Sequence, residues 1–166
     1  FLIVERFRHP LSLGQDLNPT EDYCLKASDK FLAFCAVKPG LIDGAQKLMD
    51  YLRGKGYRMH MCSSGFHEVQ YKKLRSCGLF YYFMTIFLSE DAGANKPSPR
   101  FFEYAFQQSG AQPATTLMIG DNFNTDILGA KWAGMDTIFF NRFPEYPAPE
   151  PVTHEVHHLR DIIGIL

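Results

Sequence analysis

The chain has 166 residues, of which 46% are hydrophobic and 21% are charged, and its formal net charge at pH 7 is −1. This length is enough for one domain with a hydrophobic core, and the composition is ordinary for a globular protein. The near-zero net charge gives no support for nucleic acid or a membrane surface as a partner, and no apolar stretch is long enough to span a bilayer.

The N-terminal part carries a helical pattern without a strand. Its opening residues, FLIVERFRHP, become charged too soon for a signal peptide. Residues 20–37, TEDYCLKASDKFLAFCAV, have apolar positions at helical spacing, and no apolar strand precedes them. We therefore expect this part to be a helix of an appended cap.

From Pro39 onward, predicted helices and strands alternate. Such alternation implies right-handed crossovers and a parallel sheet covered by helices on both faces, which is a Rossmann-like three-layer α/β fold. The predicted strands are 57–62, 84–90, 115–121, 136–141 and a short 153–156, and the predicted helices are 41–56, 65–80, 98–110, 124–134 and 159–166.

Polar residues follow three of these strands, and ligands of parallel sheets bind beyond the carboxyl ends of the strands. Hydroxyls and an ammonium can hold phosphate oxygens, while carboxylates can hold a hard divalent cation such as Mg²⁺. The pattern therefore favours phosphoryl chemistry. The residues concerned are Ser63, Ser64 and Gly65 after the first strand, Lys96 after the second, and Asp121 and Asp126 after the third.

Each of these residues also has a structural interpretation. Ser63 and Ser64 can begin a turn or cap the next helix, and Lys96 can be a solvated loop lysine. Asp121 and Asp126 can be a turn residue and a first-turn carboxylate stabilised by the helix dipole. Their occurrence together at three successive strand ends favours a phosphate and metal site.

Three motifs in this order resemble those of haloacid dehalogenase (HAD)-like phosphohydrolases. MHMCSSG resembles the second family motif, with Ser63 at the strand end, and NKPSPRFF resembles the third, with Lys96 before proline. IGDNFNTDILGA resembles the fourth, whose acidic pair maps to Asp121 and Asp126. Further similarity in SSGFHEVQYKKLRSCGL is to the nucleotidase branch of this family.

One family motif has no counterpart in the chain. The resemblance implies a first motif, Asp-x-Asp-x-Thr, at the end of a central first strand, but no two aspartates here are separated by one residue. Residues 1–37 accordingly resemble the C-terminal remnant of a helical cap, and residues 38–166 resemble a core domain that lacks its first strand. The chain resembles a family member without its N-terminal segment.

The resemblance implies Mg²⁺-dependent hydrolysis of a small phosphoester through an aspartyl-phosphate, with a nucleoside monophosphate as a candidate substrate. Ser63, Ser64 and Gly65 would bind phosphate together with Lys96, which would also neutralise charge on the nucleophile. Asp121 would ligate Mg²⁺, and Asp126 would orient metal-bound water or Lys96. A truncated, non-catalytic protein that binds phosphate or a partner is the alternative, and a homodimer is one option for the assembly.

Three further patterns carry structural expectations. HEVHH, residues 154–158, matches the zinc-protease pattern H-E-x-x-H, but the β-branched residues around it favour a strand rather than the helix that such a site needs. Trp132, after the acidic pair, is expected to pack on the sheet. The four cysteines have no C-x-x-C spacing and are expected to be reduced core thiols in a cytoplasmic protein.

Overall fold

The computed structural model describes residues 2–13, 18–37 and 40–166. Two α-helices, α1 (Leu2–Ser12) and α2 (Glu21–Val37), precede the alternating part of the chain. The later α-helices are α3 (Ala45–Gly54), α4 (His67–Ser76), α5 (Ser89–Ala92), α6 (Pro99–Ser109) and α7 (Leu128–Trp132). Short 3₁₀ segments lie at Phe80–Tyr82, Pro113–Thr115 and Leu159–Gly164, and a π-helical segment lies at Phe123–Ile127.

Five strands form two parallel sheets in the described part of the chain. One sheet pairs β1 (His60–Ser63) with β2 (Thr85–Leu88), and the other has the order β3 (Leu117–Gly120), β4 (Asp136–Phe140) and β5 (His154–Val156). All pairings are parallel, with Ser63 opposite Leu88 and Gly120 opposite Phe139. The carboxyl ends of paired strands therefore share one edge, as the sequence predicts.

Two hydrophobic clusters show that helices cover both faces of the sheet that contains β3. Met118 of β3 packs with Phe101 and Phe102 of α6, whereas its neighbours Leu117 and Ile119 pack against the cluster that contains Leu48 and Leu52 of α3. Adjacent strand residues point to opposite faces, so α6 and α3 lie on opposite sides of β3. The three-layer α/β architecture predicted from the alternation is confirmed.

Several predicted boundaries differ from the observed ones. The strand predicted over 84–90 ends at Leu88, because Ser89 and Glu90 already belong to α5. The closing helix is a 3₁₀ segment, and the helix predicted over 124–134 begins with a π-helical turn. Trp132 has 65% of its surface exposed, so the expectation that it packs on the sheet is wrong.

The N-terminal helices pack on each other and on the core. Phe7 of α1 meets Phe31 of α2 edge to face at 5.7 Å, and the Ser76 hydroxyl at the end of α4 donates to the carbonyl of Ala36 at 3.4 Å. Lys38 and Pro39, at the predicted boundary between cap and core, lie outside the described residues. The division into cap remnant and core stays a prediction.

None of the helices within the described ranges is long and apolar enough to cross a membrane. All four cysteines are free thiols, but Cys24 alone among them is fully buried, and the other three are half-buried.

Candidate active site

The turn after β1 presents a hydroxyl at the carboxyl edge of the sheet. Ser63 ends the strand, and its Oγ accepts a hydrogen bond from the backbone N–H of Gly65 at 3.2 Å. Because the oxygen is used as an acceptor, the hydroxyl proton is left to donate in another direction. The next helix, α4, begins at His67, whose backbone N–H donates to Glu90 Oε2 at 2.8 Å.

Lys96 connects the end of β1 with the segment that follows β3. Its Nζ lies 2.7 Å from Asp126 Oδ1 and donates to the carbonyl of Cys62 at 3.0 Å. The two side chains of the ion pair are only 8% and 10% exposed. A buried ammonium held between a carboxylate and a strand-end carbonyl is a fixed positive charge at this edge.

Asp126 is held by several donors besides Lys96. Its Oδ1 also accepts from the Thr125 hydroxyl at 3.2 Å, and its Oδ2 accepts from the backbone N–H of Asn122 at 3.3 Å. A Cβ on Gly120 would lie 2.5 Å from the Asp126 Cβ, so this close approach requires glycine at the end of β3. The carboxylate is therefore fixed in place by its surroundings.

Asp126 lies in the π-helical segment after β3. Asn122 precedes this segment, and its Oδ1 accepts from the backbone N–H of Thr125 at 3.1 Å. π-Helical turns are rare in proteins, and they are often found at functional sites. Sequence reasoning missed Asn122 and Thr125, although an Asn before a helix is a recognisable capping signal.

Asp121 differs from Asp126 in its exposure. It is the first residue after β3 and is open to solvent, whereas Asp126 has only 7% of its surface exposed. Nowhere in residues 2–13, 18–37 and 40–166 do three or more His, Cys, Asp or Glu side chains gather to hold a metal ion. Mg²⁺ is commonly bound through one or two carboxylates together with water and substrate phosphates, so an exposed Asp121 fits that ion.

Two titratable groups of β1 have shifted pKa values. Burial raises the pKa of the Cys62 thiol to about 11, so the group is protonated at neutral pH and is a poor nucleophile. Burial lowers the pKa of His60, whose ring stacks on Phe87 at 5.5 Å and whose buried Nδ1 has no hydrogen-bond partner among the described residues. Neither group is arranged to attack a substrate.

The histidines near the C-terminus do not form the helical zinc motif. His154, Glu155 and Val156 are strand β5, which confirms the sequence interpretation. The Nδ1–H of His157 donates to the carbonyl of Asn141 at 3.0 Å, and the Asn141 side chain donates to Glu155 Oε1 at 2.7 Å. These contacts join the ends of β4 and β5.

The family of the protein follows from comparison with known sequences. A family model described as a haloacid dehalogenase-like hydrolase matches residues 7–134. The chain belongs to this family. The family resemblance read from the three motifs is thereby confirmed.

Similar proteins include hydrolases and phosphatases. The HAD-hydrolase YfnB of Bacillus subtilis is 37% identical over 139 residues, which are 82% of this chain and 59% of that protein. Pyrimidine 5′-nucleotidase PynA of Streptococcus pneumoniae is 32% identical over 84% of this chain and 60% of its own length. A glyceraldehyde 3-phosphate phosphatase of Methanothermobacter thermautotrophicus is 40% identical over 54% of this chain and 40% of its own.

The structural match agrees with the sequence match. A crystal structure of YfnB bound to magnesium aligns with a TM-score of 0.86 and 31% identity, covering 99% of this chain and 70% of that chain. The chain thus spans about 60% of the length of the curated relatives YfnB and PynA.

Proposed function

We propose that the protein is a Mg²⁺-dependent phosphoester hydrolase acting on a small phosphomonoester. The observation that carries this proposal is the buried Lys96, whose ammonium lies between Asp126 and the carbonyl of Cys62 beside the Ser63 turn. A fixed cation next to a free hydroxyl donor suits the charge that develops on phosphoryl oxygens during transfer.

Four of the site residues have a stated role in this proposal. Ser63 donates its hydroxyl proton to a phosphoryl oxygen, since its own oxygen already accepts from Gly65. Lys96 neutralises negative charge on the phosphate, and Asp126 keeps the ammonium in position. Asp121 would hold Mg²⁺, with Asp126 acting through bound water; the ion would add positive charge beside the phosphate.

The nucleophile of this mechanism is not among the 166 residues. An aspartyl-phosphate forms when a carboxylate attacks phosphorus and is later hydrolysed by water. Since the chain has no Asp-x-Asp pattern, we assign none of its 166 residues as the attacking carboxylate. The second candidate function is phosphate binding without catalysis. The absence of the Asp-x-Asp pattern favours this alternative.

A nucleoside monophosphate is the substrate class that we favour. The relatives support a small phosphorylated substrate, since one is a pyrimidine 5′-nucleotidase and another a glyceraldehyde 3-phosphate phosphatase. The nucleotidase similarity extends over 84% of the chain, whereas the other covers 54%. This difference in coverage is the reason for the choice.

The test is hydrolysis of an aryl phosphate by the full-length protein, measured against Mg²⁺ concentration. Ser63→Ala should lower the rate by up to about 10²-fold, the scale of losing one transition-state donor. Asp121→Asn should raise the Mg²⁺ concentration needed for half-maximal rate, because a neutral ligand replaces a charged one. Asp136→Asn is the control, because Asp136 lies at the opposite end of the sheet. It should change neither the rate nor the Mg²⁺ concentration needed for half-maximal rate. Equal rates for all variants would show that the site lies elsewhere.

A further inference from the structure

The carboxamide of Gln70 lies directly over Gly65 in the turn after β1. A Cβ built on Gly65 would be 2.0 Å from Gln70 Nε2, 2.9 Å from its Cδ and 3.0 Å from its Cγ. The side chain of Gln70 therefore fills the space that any larger residue at position 65 would need. This contact brings a side-chain amide to the turn that carries Ser63.

The direction of Gln70 follows from its place in the first turn of α4. Its backbone N–H bonds to the carbonyl of Phe66 at 3.0 Å, which fixes its Cα in the helix. Side chains of an α-helix lean toward the N-terminus, so a long residue in the first turn reaches back over the residues before the helix. Gln70 is long enough to cover Gly65 in this way.

The hydrogen bonds within the turn do not involve the side-chain amide of Gln70, which can therefore bind a ligand. The backbone N–H of Gly65 donates to Ser63 Oγ, and that of His67 donates to Glu90 Oε2. Gln70 takes part in neither bond. Since the first amide of α4 is already occupied by Glu90, the Gln70 Nε2 group is placed to add a side-chain donor for an anion at this turn.

We propose that Gln70 binds the phosphate of the substrate by donating from Nε2 to one of its oxygens. The inference rests on the proposed phosphate site and adds a residue to it. A neutral amide contributes a directed donor without a further charge, while Lys96 supplies the positive charge of the site. The contact with Gly65 keeps the amide in this position before the ligand arrives.

The experiment measures the dissociation constant of inorganic phosphate for the full-length protein by calorimetry in the presence of Mg²⁺. Gln70→Met keeps the length of the side chain and its packing on Gly65 but removes the donor, so phosphate binding should weaken by about 10-fold or more. Gln70→Glu places a carboxylate at the same position and should weaken binding further, because like charges repel. Gln108→Met, on the exposed side of α6, is the matched control and should bind as the unchanged protein does.

Each outcome decides a different point. Thermal unfolding of every variant shows whether the fold is kept, and Gln70→Glu provides the near-isosteric comparison if Gln70→Met unfolds. Unchanged phosphate affinity in folded Gln70→Met and Gln70→Glu would overturn the inference and leave Gln70 as a packing residue. Phosphate binding that depends on Gln70, without aryl phosphate hydrolysis, would support the inference while rejecting the proposed reaction. Absence of phosphate binding by the unchanged protein would overturn both.

Discussion

Lys96 and Asp126 form a buried ion pair whose cost is offset by its hydrogen bonds. Removing two charged groups from water is expensive, and their attraction compensates only when the remaining polar atoms also find partners. Here Lys96 also bonds to the carbonyl of Cys62, and Asp126 accepts from Thr125 and Asn122. The pair is therefore satisfied only as a unit.

The stability losses from removing Lys96 and from removing Asp126 should not be additive. Lys96→Met leaves the Asp126 carboxylate buried without its cation, and we expect it to lower the free energy of unfolding by about 3–5 kcal/mol. The double variant Lys96→Met/Asp126→Leu should lose clearly less than the sum of the two single variants. Urea unfolding of the four proteins measures this coupling. Additive losses would mean that the two side chains do not depend on each other.

His60 should make the stability of the protein depend on pH. Burial lowers its pKa in the folded state below the value of about 6.5 in the unfolded chain, so the unfolded state binds protons more readily. Its contribution to stability is therefore present above pH 6.5 and is lost as the pH falls through the folded pKa. His60→Phe keeps a ring against Phe87, and its melting temperature should fall less than that of the unchanged protein between pH 7.5 and pH 5.5. An equal fall in the melting temperature of the variant and of the unchanged protein would contradict the assignment of this pH dependence to His60.

Strand-end residues were predictable from the sequence, but their supporting partners were not. Lys96 and Asp126 follow strands of a parallel pattern, and the shared carboxyl edge is enough to bring such residues together. The roles of Thr125 and Gln70 depend on a π-helical turn and on the packing of one side chain over a glycine. Neither feature has a periodicity that can be read from the chain.

The approach of α7 to α6 depends on a glycine. A Cβ on Gly129 would lie 2.4 Å from Cε2 of Phe102 and 3.0 Å from the Cα of Pro97. Phe102 is almost completely buried, and Pro97 follows Lys96 directly in the chain. This contact therefore sets the position of the loop that carries the site lysine.

Gly129→Ala and Gly54→Ala should have opposite effects on stability. Alanine at 129 must displace Phe102 or the backbone at Pro97, and we expect a loss of about 1–3 kcal/mol in the free energy of unfolding. Alanine at 54, the last residue of α3, meets no atom within 4 Å and should be neutral or stabilise by up to about 1 kcal/mol. Chemical denaturation of both variants measures the difference. Equal effects would show that the helices can shift without cost.

Element types were more predictable than element ends. The alternation of apolar patterns predicts all five strands of the described residues, but β2 ends before Ser89 because a new helical turn begins there. Trp132 was assigned to the sheet because aromatic residues are usually buried, yet α7 turns it to solvent and buries Gly129 and Ala130 instead. Which face of a five-residue helix is buried depends on its neighbours.

At the scale of the whole molecule, the five described strands form two separate sheets, because β1 and β3 are not hydrogen-bonded to each other. All four residues of β1 are only half-buried, whereas four of the five residues of β4 are buried. Helix-covered parallel sheets normally bury their inner strands, so the low burial of β1 marks an edge rather than the middle of a sheet. Lys96 reaches across this division, since it bonds to Cys62 in β1 and to Asp126 after β3.

Such a division leaves the outer backbone groups of β1 and β3 without strand partners in the described structure. Unpaired strand edges template pairing with other chains, and a domain has only about 5–15 kcal/mol of net stability. We therefore expect residues 1–166, expressed alone, to aggregate, to lack fixed side-chain packing, or to take up a strand from another segment or another copy. Near-UV circular dichroism and thermal unfolding should then show weak signals and a broad transition, and the amides of β1 and β3 should exchange hydrogen faster than those of β4. A sharp cooperative transition from a monomer of 19.0 kDa would contradict this expectation, because it would mean that the two sheets are stable side by side without a strand between them.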